Sequence, residues 1–213
     1  MTQMGRGALG LAALLALTAG YVDAVGFLEL GGFFLSFMSG NSTRLGVGVG
    51  TSDPAIAARA TLLIAMFVFG VFLAALTPER ARHRKSWLLC AVALSLGGAA
   101  LGADSHPVLA GGLAAVAMGA LNIVFQRDGE ISVGVTYMTG SLVRLGARLA
   151  AAFKGGPPWA FAPFLLLWAA MACGAVLGAV SHQLLASGAF WLAAVACLAT
   201  ALIAVVGKLD ADT

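Results

Sequence analysis

One stretch of this chain occurs twice, one hundred positions apart. Ser36-Phe37-Met38-Ser39-Gly40-Asn41-Ser42-Thr43-Arg44-Leu45-Gly46 returns as Thr136-Tyr137-Met138-Thr139-Gly140-Ser141-Leu142-Val143-Arg144-Leu145-Gly146, in register and without a gap. Both copies lie among long apolar runs, where hydroxyls and an arginine are costly unless something needs them. A fold for this chain therefore has to place two equivalent polar elements inside an apolar body.

Of the 213 residues, 61% are hydrophobic and 10% charged, against roughly 25% charged in soluble domains. Apolar runs long enough to cross a bilayer, ~17–25 residues each, recur from end to end. The prediction is an all-α integral membrane protein whose surroundings are the lipid bilayer, with no room for a soluble domain. The net charge of +3 comes mostly from one loop and reads as a topology signal, not as nucleic-acid binding. Cys90, Cys173 and Cys197 are scattered through apolar runs, which gives neither a disulfide framework nor metal-ligand spacing. Packing is the expected role, and nothing in the sequence asks for a cofactor.

Apolar runs between breakers give eight segments: about Gly7–Leu28, Phe33–Gly50 (the first motif), Pro54 to near Thr77, Trp87–Gly102, Pro107–Phe125, the second motif, Trp159–Val180 and Phe190–Val206. Asp53-Pro54 is a helix-start pair, an N-cap followed by a first-turn proline. Glu79-Arg80-Ala81-Arg82-His83-Arg84-Lys85 is the most polar stretch and is expected to be a loop. Arg6 and the apolar run after it imitate a signal peptide. However, Leu14, Ala16, Gly20 and Val25 match Leu113, Ala115, Gly119 and Val124 at a constant offset of 99. A removable leader should not be half of a duplication, so this segment is expected to be the first span.

The duplication continues in Gly70 and Trp87, which match Gly174 and Trp191 at an offset of 104. Extra residues in the Lys154-Gly155-Gly156-Pro157-Pro158 linker account for the change of offset. The chain thus divides into halves 1–104 and 105–213 of a single membrane domain, each with the same four segments. The positive-inside rule then tests whether the motif segments cross. With Arg44 and Arg144 set aside, six spans with two re-entrant or broken motif helices place nine Lys and Arg inside and only Arg59 outside. Eight spans in a 4+4 arrangement split the same residues five to five. Six spans are favoured. Three per half inverts the second half relative to the first, with both termini cytoplasmic. Inverted repeats with discontinuous helices are a recurrent plan of transporters, with the site near the bilayer midplane.

In Ser39-Gly40-Asn41-Ser42 and Thr139-Gly140-Ser141 the glycine permits an unwound turn, and Asn41 or Ser141 is expected to cap a helix restarting toward Arg44 or Arg144. Two such helix starts facing each other make an anion or carboxylate site. The competing reading is that small residues merely let helices approach closely. Arg44 and Arg144 either supply charge to a bound anion or reach the interface and hold their element in place. Asp23 lies in the first span, and its repeat mate is Asn122. It can pair with one of the arginines or carry a proton or Na⁺ in coupled transport, against a purely structural role. Glu29 and Glu130 are expected at solvated entrances. His83, His106 and His182 fall at span ends, and Trp87, Trp159 and Trp191 start spans as interface anchors do. Gly46/Gly50, Gly98/Gly102 and Gly174/Gly178 have GxxxG spacing, a weak signal for close contact within the chain or in a homo-oligomer.

Enzyme signatures are missing from the apolar runs. Met38-Ser39-Gly40 faintly resembles the nucleophile loop of intramembrane serine proteases, but the second copy carries Thr139 and no histidine sits within a span.

Ala19-Gly20-Tyr21-Val22-Asp23-Ala24 together with the two motifs resembles the YoaK-like family of bacterial inner-membrane proteins, which carry a domain of unknown function. The resemblance covers essentially the whole chain. It implies a polytopic protein, described as a small-molecule transporter, without a substrate or mechanism. In that family pattern a polar residue precedes the second-half Asn. Here Leu121 precedes Asn122, which weakens Asn122 as a ligand. The function expected is a secondary transporter or channel for a small solute, with an anion or carboxylate favoured. A membrane scaffold is the first rival and an intramembrane enzyme the last.

Overall fold

The computed structural model describes residues 6–79, 81, 83–127, 130–131 and 136–206, without the side chains of Arg6, Arg127, Glu130 and Ile131. Arg80, Arg82, Asp128, Gly129 and the tail from Lys208, which entered the charge count or the loop reading, lie outside the described residues, as does the Glu130 side chain. Among the described residues there are eight α-helices: α1 (Arg6–Glu29), α2 (Met38–Gly50), α3 (Pro54–Ala75), α4 (Arg84–Gly102), α5 (Pro107–Asn122), α6 (Met138–Phe153), α7 (Ala162–Leu185) and α8 (Ala189–Val206). The fold is all-α apart from a two-residue antiparallel pair, β1 (Gln126–Arg127) with β2 (Glu130–Ile131).

Among the described residues, four stretches are long and apolar enough to cross a membrane: Gly7–Glu29, Pro54–Ala75, Arg84–Gly102 and Ala162–Val206. The last folds as two helices, α7 and α8, broken at Ala186, whose φ of 49° ends α7. At 16 residues α5 is shorter. The outward face is apolar, with Val68, Phe69, Phe72 and Leu73 of α3 and Val195, Leu198 and Leu202 of α8 exposed. Hydrocarbon suits such a surface and water does not. At the start of α3, Asp53 caps as its sequence predicts, accepting from Ala55 N at 3.0 Å and Ile56 N at 3.1 Å.

Glycines set the closest helix contacts, and the two halves use them in the same way. A Cβ on Gly174 would collide with the Leu17 carbonyl, and one on Gly20 with the Met171 carbonyl. At equivalent positions of the repeat, Gly70 meets the Val116 carbonyl and Gly119 the Phe67 carbonyl. Backbones this close leave no room for a side chain. Thus α1 docks on α7 and α5 on α3, each pair taking one helix from each half.

Cross-helix contacts fix the directions. Leu17 and Tyr21 face Gly174 and Gly178, and Glu29 meets His182, so α1 and α7 are parallel. Met66 faces Gly112 and Val71 faces Gly119, so α3 and α5 are parallel too. By contrast, Ser86 near the start of α4 donates to the Ala201 carbonyl late in α8 at 3.3 Å. Gly97, late in α4, faces Trp191 at the start of α8, so these equivalent helices are antiparallel. Ser95 donating to the Leu113 carbonyl at 2.8 Å and Arg84 to the Ile123 carbonyl at 3.3 Å make α4 and α5 antiparallel. Tyr21, late in α1, donates to the Ala189 carbonyl that opens α8 at 3.0 Å, and Leu30, just past α1, lies on Gly111 near the start of α5, so α1, α4 and α7 run one way and α3, α5 and α8 the other. The stretch between α1 and α3, which contains α2, leaves and rejoins the bundle at one end. The stretch containing α6 does so at the opposite end.

Two boundaries differ from the sequence reading. The helix α4 starts at Arg84, not Trp87, and buries both Arg84 and Lys85. The motif helices start at Met38 and Met138 with Phe37 and Tyr137 as N-caps. Asn41 and Ser141 therefore lie within the first turns and are not the caps. The break falls earlier, because Asn41 holds the loop before the helix.

Candidate functional site

In the first half the site is built on an irregular loop, residues 30–37, between α1 and α2. Asp23 lies six residues before the end of α1, ~9 Å along its axis. One carboxylate oxygen accepts the backbone N–H of Leu35 at 2.7 Å and of Ser36 at 2.6 Å, and the other accepts the Ser36 hydroxyl at 2.5 Å. From the other side Asn41, fully buried, brackets one residue: its Oδ1 accepts from Phe34 N at 3.0 Å and its Nδ2 donates to the Phe34 carbonyl at 2.7 Å. Non-helical backbone at depth has to be satisfied by protein, and these two side chains do that. The carboxylate also sits beneath the N-terminus of α2, where a negative charge is favoured.

The second half repeats the device without the charge. Asn122, 2% exposed, accepts the Thr136 hydroxyl at 3.0 Å and the Thr136 N–H at 3.4 Å, while its amide donates to the Met118 carbonyl at 3.0 Å. Asp23–Ser36 and Asn122–Thr136 are thus the same contact, tighter in the first half.

The predicted site residues are distributed unevenly. Asn41 and Ser141 are buried, Gly40 and Arg44 half-buried, and Ser39, Ser42, Thr139, Gly140 and Arg144 exposed. Ser42 and Thr43 turn their hydroxyls back to the carbonyls of Met38 and Ser39. The Arg44 guanidinium lies 4.7 Å above the Phe33 ring and against Gly32, and Arg144 lies 6.0 Å above the Phe164 ring. Each arginine therefore stacks on a ring of its own half. Asp23 meets neither arginine. The helix α2 packs on α3 and α6 on α7, and α2 and α6 do not form a packing pair with each other. With 13 residues, α2 is ~20 Å long, short of the ~30 Å hydrocarbon core.

Other contacts were not legible from sequence. Arg84, expected in a loop, donates to the Ile123 carbonyl and, at 3.0 Å, to Gln126 Oε1, clamping the turn after α5. Glu29, expected to be solvated, bonds His182 at 3.1 Å and ties α1 to α7. The only hint of it was that both residues sit at span ends. The pair Gly174/Gly178 packs within the chain, as do Gly98 and Gly102 against Leu113 and Ala110, whereas Gly46 and Gly50 face open space.

Replacing Asn41 by alanine would orphan both backbone groups of Phe34. An unsatisfied buried group costs ~1–3 kcal/mol. Asn41→Ala should therefore lower thermal stability in detergent clearly, whereas Ser42→Ala, on an exposed face, should change it little.

Long apolar helices, lipid-suited outer faces and buried polar loops define a multi-pass α-helical membrane protein. The chain belongs to the family described as "Protein of unknown function (DUF1275)", whose model matches residues 11–203. It is 35% identical over 190 residues to the UPF0700 transmembrane protein RA0705 of Rhizobium meliloti (strain 1021), covering 89% of this chain and 83% of that one. It is also 37% identical over 73 residues to the UPF0700 transmembrane protein YoaK of Bacillus subtilis (strain 168), covering 34% of this chain and 32% of that one. No solved structure matches.

Proposed function

We propose that this chain carries a small solute across the bacterial inner membrane, as a secondary transporter or channel, with an anion or carboxylate favoured. The observation that carries the reading is the opposed direction of equivalent helices α4 and α8. With it, the two polar motif segments enter from opposite ends of one bundle. This supports six spans in two inverted halves, 1–104 and 105–213, with α2 and α6 re-entrant and the termini cytoplasmic. Inverted repeats with discontinuous elements suit alternating access.

In this reading Ser39, Gly40, Ser42 and Arg44, with Thr139, Gly140 and Arg144, meet the solute. Asn41 holds the backbone beneath it, Ser141 lies buried in the first turn of α6, and Asp23, with its mate Asn122, is the place for ion coupling. For one solute to touch both motifs, α2 and α6 have to approach each other more closely than they do here. The second reading, a non-catalytic scaffold, is favoured by each arginine stacking on its own half's ring. An enzyme is third.

A thermal-shift screen of small carboxylates, inorganic anions, amines and sugars on purified protein tests the first step, since a bound compound raises apparent stability by mass action. For any compound that binds, Arg44→Ala and Arg144→Ala should each cut its flux into proteoliposomes at least about tenfold, the loss of ~1.4 kcal/mol, while the protein stays folded. Unchanged flux would remove the arginines from the site. Lost stability without any solute dependence would favour the scaffold, and a turnover abolished by Ser39→Ala the enzyme.

A further inference from the structure

The packing divides the bundle into two interwoven bodies. One is α1, α6 and α7 and the other is α5, α2 and α3, each taking helices from both halves. Inside each body the contacts are the backbone-close glycine crossings, Gly20 and Gly174 in the first and Gly119 and Gly70 in the second. Between the bodies the direct helix packing is thin, chiefly α1 against α5, with Leu30 of the loop after α1 lying on Gly111. The antiparallel pair α4–α8 braces both. Because α5 is seated more broadly on α4 than α1 is on α8, the α1–α6–α7 body is the freer of the two.

Polar contacts bridge the bodies at opposite ends. Asp23 on α1 holds Ser36, two residues before α2, by three bonds of 2.5 to 2.7 Å with Leu35 and Ser36. Asn122 on α5 holds Thr136, two residues before α6, at 3.0 and 3.4 Å. Each contact ties the entrance of one body's motif helix to a helix of the other body.

We propose that these contacts are the two latches of a rocking motion in which the α1–α6–α7 and α2–α3–α5 bodies turn against each other on the α4–α8 brace, opening the ends in alternation. This deepens the transport reading and rests on it for its purpose. The Asp23 latch is the stronger, with three bonds of 2.5 to 2.7 Å against two of 3.0 and 3.4 Å. The resting chain therefore keeps the Asp23 end shut and opens the Asn122 end first.

The test is double electron–electron resonance on full-length protein in lipid nanodiscs, with Cys90, Cys173 and Cys197 replaced. A spin-label pair at Val49 and Leu184, exposed positions on α2 and α7, reads the Asp23 end. A pair at Leu76, just past α3, and Phe153 on α6, both exposed, reads the other. Leu28 with Leu184, both in one body, is the control. Asp23→Ala should lengthen and broaden the Val49–Leu184 distance and leave the Leu76–Phe153 distance as it was. Asn122→Ala should do the reverse, with the control narrow throughout. Should Asp23→Ala fail to fold, Ser36→Ala removes one of the three bonds and should shift the same pair by less. Distances unmoved in folded variants, or a control pair that moves with the others, overturn the latches. Solute flux with fixed distances overturns them too. Motion without flux of any solute supports the latches and counts against transport alone.

Discussion

Gly174→Val should leave little or no folded protein, and Gly70→Val should do the same. At Gly174 a side chain would meet the Leu17 carbonyl, and at Gly70 the Val116 carbonyl. Overpacking a core normally costs ~1–3 kcal/mol because neighbouring side chains can give way. Here the obstacle is the backbone of the facing helix, so α1 would have to leave α7, or α5 leave α3. Gly10 and Gly46 meet nothing within 4 Å, so Gly10→Val and Gly46→Val are the controls and should purify like the parent. The readout is the monodisperse fraction in mild detergent. A collapse at Gly174 with a normal profile for Gly70→Val would show that the two crossings are alike in geometry but not in energy.

The second large effect is expected at Asp23. Asp23→Ala would leave Leu35 N–H, Ser36 N–H and the Ser36 hydroxyl without their acceptor. At ~1–3 kcal/mol for each unsatisfied buried group, the sum is about 3 kcal/mol or more, and larger than any change at exposed Ser39 or Thr139. Asp23→Asn should cost far less. The second half already shows an amide at this position, with its oxygen on Thr136 and its nitrogen turned to the carbonyl four residues back. The comparison is made by thermal unfolding of purified variants. Equal losses for alanine and asparagine would mean that the charge, not the acceptor geometry, holds the loop.

Much of the architecture was legible in the chain itself. The long apolar helices, the Asp53 cap and the matching close contacts at Gly70 and Gly174 follow from apolar run length, helix-start chemistry and repeat offset, which are local or additive properties. The details of the site were not. A sequence shows Asn41 behind a glycine and suggests a cap. It does not show that the loop before Met38 turns back far enough for that amide to reach Phe34. Likewise, Asp23 and the arginines are all ionisable residues in apolar surroundings, and opposite charges suggest pairing. The pairing did not form because the loop N–H groups, thirteen or fewer residues away, reach the carboxylate first, while each guanidinium has a ring in its own half. Arg84 reads as loop in the sequence because its neighbours are basic. Its burial depends on the turn after α5, some 40 residues away, which no local pattern reports.

The interlocking of the halves also bears on how the chain is made. The partner of α1 is α7, and Leu17 has to wait for Gly174 before its close crossing can form. At ~5–20 residues per second of synthesis, the first helix stands in the membrane for roughly 10–30 s without the neighbour that covers its small-residue face. Throughout that interval its small-residue face is open to lipid, to other nascent helices or to a membrane chaperone. The first close crossing of the bundle therefore forms late, only once α7 has been made.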